Sequence, residues 1–298
     1  MKVIPRIFGG LGNQLFIYAA ARRLALVNRA ELVLDNRSGF TRDDRYQRQY
    51  QLDHFAIPCR KATALERLEP FSRIRRYAKR RWNARKPFEQ RNYLRQEGVD
   101  FDPRLLKLKP RNCLYLEGYW QSEDYFKDIE PQIREDLRIQ PPTDAINQQM
   151  AIQIRTTHAV AVHIRFFDAP TGVIVNNAPN DYYQRAIHTM KAHLSNAHYY
   201  LFSDQPEAAR AHIPLNDDRI TLVQHNQCET MAYADLWLMM QCQHFIIANS
   251  TFSWWGAWLA ENPNKLVIAP GFKLIGRDSG KITSWGFMGH IPDQWKKM

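Results

Sequence analysis

From about residue 140 onward, short apolar runs alternate with helix-length segments, and this alternation constrains the fold more than any other feature. The runs are AVAVHI (159–164), HYYLFS (198–203), RITLVQ (219–224), HFIIAN (244–249) and KLVIAP (265–270). Between them lie DYYQRAIHTMKAHL (181–194), ETMAYADLWLMMQC (229–242) and SWWGAWLA (253–260). Uninterrupted apolar strands separated by helices predict a parallel sheet covered on both faces. The N-terminus opens in the same way, with a strand at Val3–Phe8, a helix at Gly12–Asn28 and a strand at Glu31–Asp35, a βαβ unit. Residues 36–110 show no clean period, and EDYFKDIEPQIREDL (123–137) has helical character. The segment PPTDA (141–145) marks a boundary, so the expected organisation is two Rossmann-like domains, 1–145 and 146–298. Ligands are expected at the C-terminal ends of the strands, where the two halves face each other.

With 298 residues and 45% hydrophobic content the chain can bury two sizeable cores. No run of about 18 apolar residues predicts a membrane span, and the first residues lack the apolar core of a secretion signal. A cytoplasmic location is therefore expected. Cys59, Cys113, Cys228 and Cys242 have no CxxC spacing, which predicts reduced, mostly buried thiols. Cys242 and His244 alone are too few ligands for structural zinc. The net charge of +11 and the isoelectric point near 9.5 imply anionic partners. Much of the excess sits in RIRRYAKRRWNARKPFEQR (73–91), with Ile74, Tyr77, Trp82 and Phe88 interleaved. That pattern suits nucleic acid, an anionic membrane surface or a solvated helix face.

Three stretches carry chemistry. In FGGLGNQLF (8–16) a glycine-rich turn leads from a strand into a helix N-terminus, whose N–H groups and dipole favour an anion such as phosphate. Leu15 stands where a dinucleotide fingerprint needs its third glycine, although Asp35 sits where a ribose-binding acid is expected. No Gly-Lys-Ser/Thr follows, which excludes a P-loop. A tight turn alone would explain the glycines but not Asn13 and Gln14. In AVAVHIRFFDAP (159–170) a buried strand delivers His163, Arg165 and Asp168 at its end, with His163 and Arg165 on one face. Arginine there can clamp a phosphate and stabilise a leaving group. In HFIIANSTFSWWGAWLA (244–260) hydroxyls cluster at a helix N-terminus, a second anion site. Asp100-Phe101-Asp102 has the spacing of a metal-binding DxD, but Asp102-Pro103 reads better as a turn cap.

Together these motifs carry a resemblance. GGLGNQLF, the strand HIRxxD, LFSD followed by Pro-Glu, and ANSTFSWWGAWL, in that order, resemble the bacterial α-1,2-fucosyltransferases, glycosyltransferase family 11. LEGYWQSEDYF (116–126) is similar to that family's GYxQSExYF segment. The resemblance implies a GT-B fold of two Rossmann-like domains facing each other across a cleft, the N-terminal one on the acceptor side and the C-terminal one binding the GDP-sugar. It also implies an inverting reaction with GDP-fucose as donor and no metal. By position, Gly9, Gly10, Gly12 and Asn13 would approach the diphosphate or fucose. Arg165 would bind the β-phosphate, His163 and Asp235 would read the ribose or guanine, and Ser250, Thr251 and Ser253 would hold phosphate oxygens. Asp204 is a further nucleotide candidate and Asp168 the nominated base. The chain departs from the family's HxRRGD at Phe166 and Phe167, where arginine and glycine are usual. The resemblance implies one arginine can suffice, as in the related protein O-fucosyltransferases.

The expected activity is thus transfer of fucose to the 2-hydroxyl of a terminal galactoside in an O-antigen-type glycan, with residues 73–91 resting on the anionic inner face of the cytoplasmic membrane. An NAD(P)-dependent oxidoreductase built on the first βαβ unit is the rival. No nucleic-acid-binding motif accompanies the basic stretch.

Overall fold

The computed structural model describes residues 1–41, 43, 47–166, 178–271, 273–278, 281–286 and 291–298, with 273–278 and 281–286 described by backbone alone. The chain divides into two compact units, Met1–Gln140 and Pro141–Met298. The division falls just before PPTDA, a few residues ahead of the 145/146 boundary expected from sequence.

The first unit contains β1 (Lys2–Pro5), α1 (Leu11–Val27), β2 (Glu31–Leu34), β3 (Arg60–Lys61), α2 (Ser72–Ala84), β4 (Tyr93–Arg95), β5 (Cys113–Glu117) and α3 (Glu130–Asp136). Its strands form one parallel sheet in the order β3-β2-β1-β5-β4. The order reverses between β1 and β5, so the loops leaving these two strands flank a topological switch point. Helix α1 is buried almost all round from Leu11 to Ala21, which is why its sequence shows little amphipathic alternation. Its Tyr18 hydroxyl and Arg22 Nε both donate to Asp136 at 2.7 Å, tying it to α3. The helix expected over 123–137 is instead two 3₁₀ turns followed by α3. Ser122 caps the first turn, and Pro131 is confined to the first turn of the α-helix proper.

The second unit contains α4 (Ala145–Arg155), β6 (His158–Ile164), α5 (Asn180–His193), β7 (Ala197–Ser203), α6 (Pro206–Arg210), β8 (Ile220–Val223), α7 (Ala232–Met240), β9 (His244–Ile246), α8 (Thr251–Leu259) and β10 (Val267–Ala269). It ends with an antiparallel pair, β11 (Lys273–Asp278) and β12 (Lys281–Gly286), and with β13 (Lys296–Lys297). The six-stranded parallel sheet runs β13-β10-β9-β6-β7-β8. Numbered from β6, that is the Rossmann order 3-2-1-4-5-6, with its switch point between β6 and β9. Its core packs Val160, Val162 and Leu201 against Tyr182, Tyr183 and Met190 of α5. The edge strand β13 carries no apolar signal and has no counterpart in the sequence reading.

The four cysteines are free, as expected, but only Cys242 is buried; Cys59 and Cys113 are half-buried and Cys228 is exposed. Asp102 caps a 3₁₀ turn, accepting from the Arg104 N–H at 3.0 Å.

Candidate functional site

The second unit gathers its polar side chains at the carboxyl ends of β6, β7 and β9, beside the switch point. His163 is the penultimate residue of β6, and its buried ring places Nδ1 2.8 Å from Ser253 Oγ in α8. Burial first, and the nearby Arg165 charge second, push the imidazole pKa down to about 3. The ring is therefore neutral at physiological pH and offers one donor and one acceptor. Tyr183 of α5 donates its hydroxyl to the His163 carbonyl at 3.2 Å, fixing the end of the strand from behind.

Arg165 follows β6 and lies 3.1 Å from Asp204, which follows β7. The same carboxylate accepts the Phe166 N–H at 3.0 Å, so Asp204 holds both the arginine and its backbone. Both side chains are only partly covered, at 27% and 22% exposure, so the guanidinium is oriented yet accessible to a ligand. Ser250 caps α8 by accepting from the Phe252 N–H at 3.4 Å, and Thr251 opens the helix. The positive end of the α8 dipole thus stands at the switch point beside β6, a setting that favours an anion.

The first unit repeats the plan. Gly10 caps α1 without a side-chain hydrogen bond, and Gly12 is buried in the first turn. Gly9 has φ +78°, and a Cβ there would stand 3.0 Å from Asn13 Nδ2 and 3.3 Å from Tyr119. Only glycine accommodates that turn. Asn13 Oδ1 accepts from Gln121 Nε2 at 2.7 Å, which joins the first turn of α1 to the loop after β5 across the switch point. Arg48 lies over Gly10, its Nη1 3.5 Å from where a Cβ would be.

Other expected site residues lie elsewhere. Gln14 is wholly buried; its amide donates to the carbonyls of Gly9 and Gln49 and accepts from the Gln51 N–H, so it closes the loop structurally. Asp35 is buried, paired with Arg76 at 2.6 Å and bonded to Ser38, which leaves no carboxylate for a ribose. Asp235 bonds Asn226 at 2.9 Å, in a polar chain that continues to Asn147 and Asp144. Desolvation raises its pKa to about 7, against the lowering effect of that bond. Among the described residues its side-chain hydrogen-bond partner is Asn226, not His163 or Ser253. Asp168 lies outside the described residues. Arg48 and Tyr183 are additions from the structure; Tyr119 and Gln121 lie in the LEGYWQSEDYF segment noted in sequence, but nothing there couples Gln121 to Asn13, 108 positions away.

A family model, glycosyl transferase family 11, matches residues 6–273. The chain is 32% identical over 300 residues to the O-antigen biosynthesis glycosyltransferase WbnK of Escherichia coli, covering 93% of this chain and 97% of that protein. It is 28% identical over 290 residues to an Escherichia coli alpha-1,2-colitosyltransferase, covering 90% of this chain and 91% of that protein. Among solved structures, a mutant of Arabidopsis thaliana FUT1 in complex with GDP aligns with TM-score 0.51 and 13% identity, over 89% of this chain and 69% of that one. With two Rossmann-like parallel-sheet units, the fold is of the GT-B type, and the chain belongs to glycosyl transferase family 11.

Proposed function

We propose that the chain transfers fucose from GDP-fucose, with inversion, to the 2-hydroxyl of a terminal galactoside in an O-antigen-type glycan. The observation that carries the donor half is the switch point of the second unit, where Arg165, the His163–Ser253 pair and the α8 N-terminus lie at the carboxyl ends of the central strands β6 and β9. In this reading the second unit binds GDP. Arg165, together with the hydroxyls of Ser250, Thr251 and Ser253, holds the diphosphate, His163 and Asp235 serve the nucleoside, and Asp204 orients Arg165. The first unit takes the acceptor side, with Gly9, Gly10, Gly12 and Asn13 near the sugar. Both Escherichia coli relatives are glycosyltransferases, and WbnK acts in O-antigen biosynthesis, which supports glycosyl transfer in O-antigen synthesis.

The acceptor oxygen bonds to the anomeric carbon as the bond from that carbon to the β-phosphate oxygen breaks. The acceptor proton passes to a base, for which Asp168 is the nominee, and GDP departs. Negative charge grows on the diphosphate in the transition state, so donors preorganised there accelerate the step. Arg165 and the α8 N-terminus supply that positive charge in place of a metal ion. Among the described residues no helix is long and apolar enough to cross a membrane. A cytoplasmic enzyme peripheral to the inner membrane face fits this reading.

Titration calorimetry with GDP in the presence of a chelator, and with ADP and NAD in parallel, tests the donor. Selective GDP binding is expected; equal binding of ADP or preference for NAD overturns it. Given the colitosyltransferase relative, the sugar is then decided by offering GDP-fucose and GDP-colitose with terminal galactosides.

A further inference from the structure

Helix α2 has two faces of opposite character. Its inner face is anchored by one buried and one half-buried ion pair: Arg76 reaches Asp35 at 2.6 Å, and Arg80 reaches Glu117 at 2.6 Å. Asn83 completes the attachment by accepting the Asn92 N–H at 2.7 Å. Part of the basic stretch is therefore internal structure. The outer face is different. Ile74 and Trp82 stand 67% and 64% exposed and with Ala78 form one stripe along the helix, while Tyr77 beside it and Phe71 at its N-cap are 60% and 72% exposed. Arg75 and Arg81 flank that stripe, and Arg85 caps its C-terminal end. Among the described residues Arg81 and Arg85 pair with no carboxylate, and Arg75 donates only to the Glu69 carbonyl, at 3.3 Å.

We propose that this outer face is a docking surface for an anionic phospholipid bilayer, with α2 lying in the plane of the headgroups. A helix of 13 residues is too short to span a membrane. An apolar stripe bordered by arginines is the pattern of an interfacial helix, in which large side chains enter the acyl boundary and cations meet lipid phosphates. The charge is complementary: residues 73–91 hold nine basic residues against one acidic, and although Arg76, Arg80 and Arg91 are taken up by Asp35, Glu117 and Glu97, Arg73, Arg75, Lys79, Arg81, Arg85 and Lys86 have no ion pair among the described residues. A nucleic acid could use the cations and stack on Tyr77 or Trp82, but it would leave Ile74 and Leu65, 67% and 76% exposed, in water, whereas a bilayer would bury them as well. The proposal is independent of the donor reading.

Sedimentation of the full chain with vesicles tests it, using phosphatidylcholine alone or with about a third phosphatidylglycerol. Binding to the anionic vesicles alone is expected. The triple variant Arg75→Ser, Arg81→Ser, Arg85→Ser should lower the partition coefficient about a hundredfold, since each cation near an anionic surface contributes roughly a factor of five. The double variant Ile74→Glu, Trp82→Glu should lower it at least about tenfold, through lost apolar burial. Far-UV circular dichroism and thermal midpoints matching the parent show that the variants fold. In the parent itself, raising salt from about 0.1 M to about 1 M should release the protein, because screening shortens to about 3 Å. Failure of the parent to bind anionic vesicles at low salt overturns the proposal. So does loss of binding in the arginine variant but not in the apolar one, or tighter retention on an oligonucleotide than on anionic vesicles.

Discussion

Arg165 shows what a single residue contributes at this site. Its pair with Asp204 is partly solvated, so removing it changes stability by less than about 1 kcal/mol. Removing a charge donor from a developing anion, in contrast, costs about 10²–10³ in rate. Arg165→Ala is therefore expected to keep the parent's melting temperature within a few degrees while transfer from GDP-fucose falls at least about a hundredfold. Arg165→Lys should recover only part, because a point charge cannot reproduce the planar two-pronged contact. A transfer assay beside a thermal melt checks both. In sequence, the end of an apolar strand made Arg165 a candidate, since that is where a parallel sheet presents its ligands, and only the company of the other motifs raised it above a surface arginine beside a core histidine. Asn13 and Gln14 illustrate the opposite case. Adjacent and chemically alike, they separate in the fold because helix geometry turns one toward Gln121 and buries the other against Gly9 and Gln49.

At the scale of the element, α2 is held by charge rather than by apolar packing. Its buried side chains are Arg76 and Asn83. Asp35→Ala leaves Arg76 buried without its counter-ion and should cost about 3–5 kcal/mol, read as a fall in the urea midpoint. The double variant Asp35→Ala, Arg76→Met should be more stable than Asp35→Ala alone, because no uncompensated charge remains. This pair also explains why residues 36–110 lack a readable period. Their organisation rests on side chains far apart in sequence, such as Arg6, Arg80 and Tyr93 converging on Glu117. Periodicity reports apolar faces, and this region has few.

At the scale of the whole molecule, two buried groups give stability opposite pH slopes. His163 falls from 6.5 to about 3 in the fold, so its contribution is complete above pH 6.5 and is lost as pH falls toward 3. Asp235 rises from 3.8 to about 7, so its contribution is complete below pH 3.8 and is lost as pH rises toward 7. Between 3.8 and 6.5 the two slopes, each up to about 1.4 kcal/mol per pH unit, oppose each other. Asp235→Asn should therefore steepen the loss of stability on acidification across this window, and His163→Gln should make the protein relatively more stable as pH falls. Thermal midpoints of parent and variants across the window check the sign. Parallel-sheet architecture, the division near residue 140 and the motif strands were legible in sequence, because unbroken apolar runs and glycine-rich turns are local signals that survive without knowledge of partners. The tertiary structure alone decided which polar residues meet: Asn13 with Gln121, Arg165 with Asp204, His163 with Ser253, and Asp35 with Arg76 rather than with a ribose. Each of these contacts depends on strand order, and strand order brings together loops that no local pattern connects.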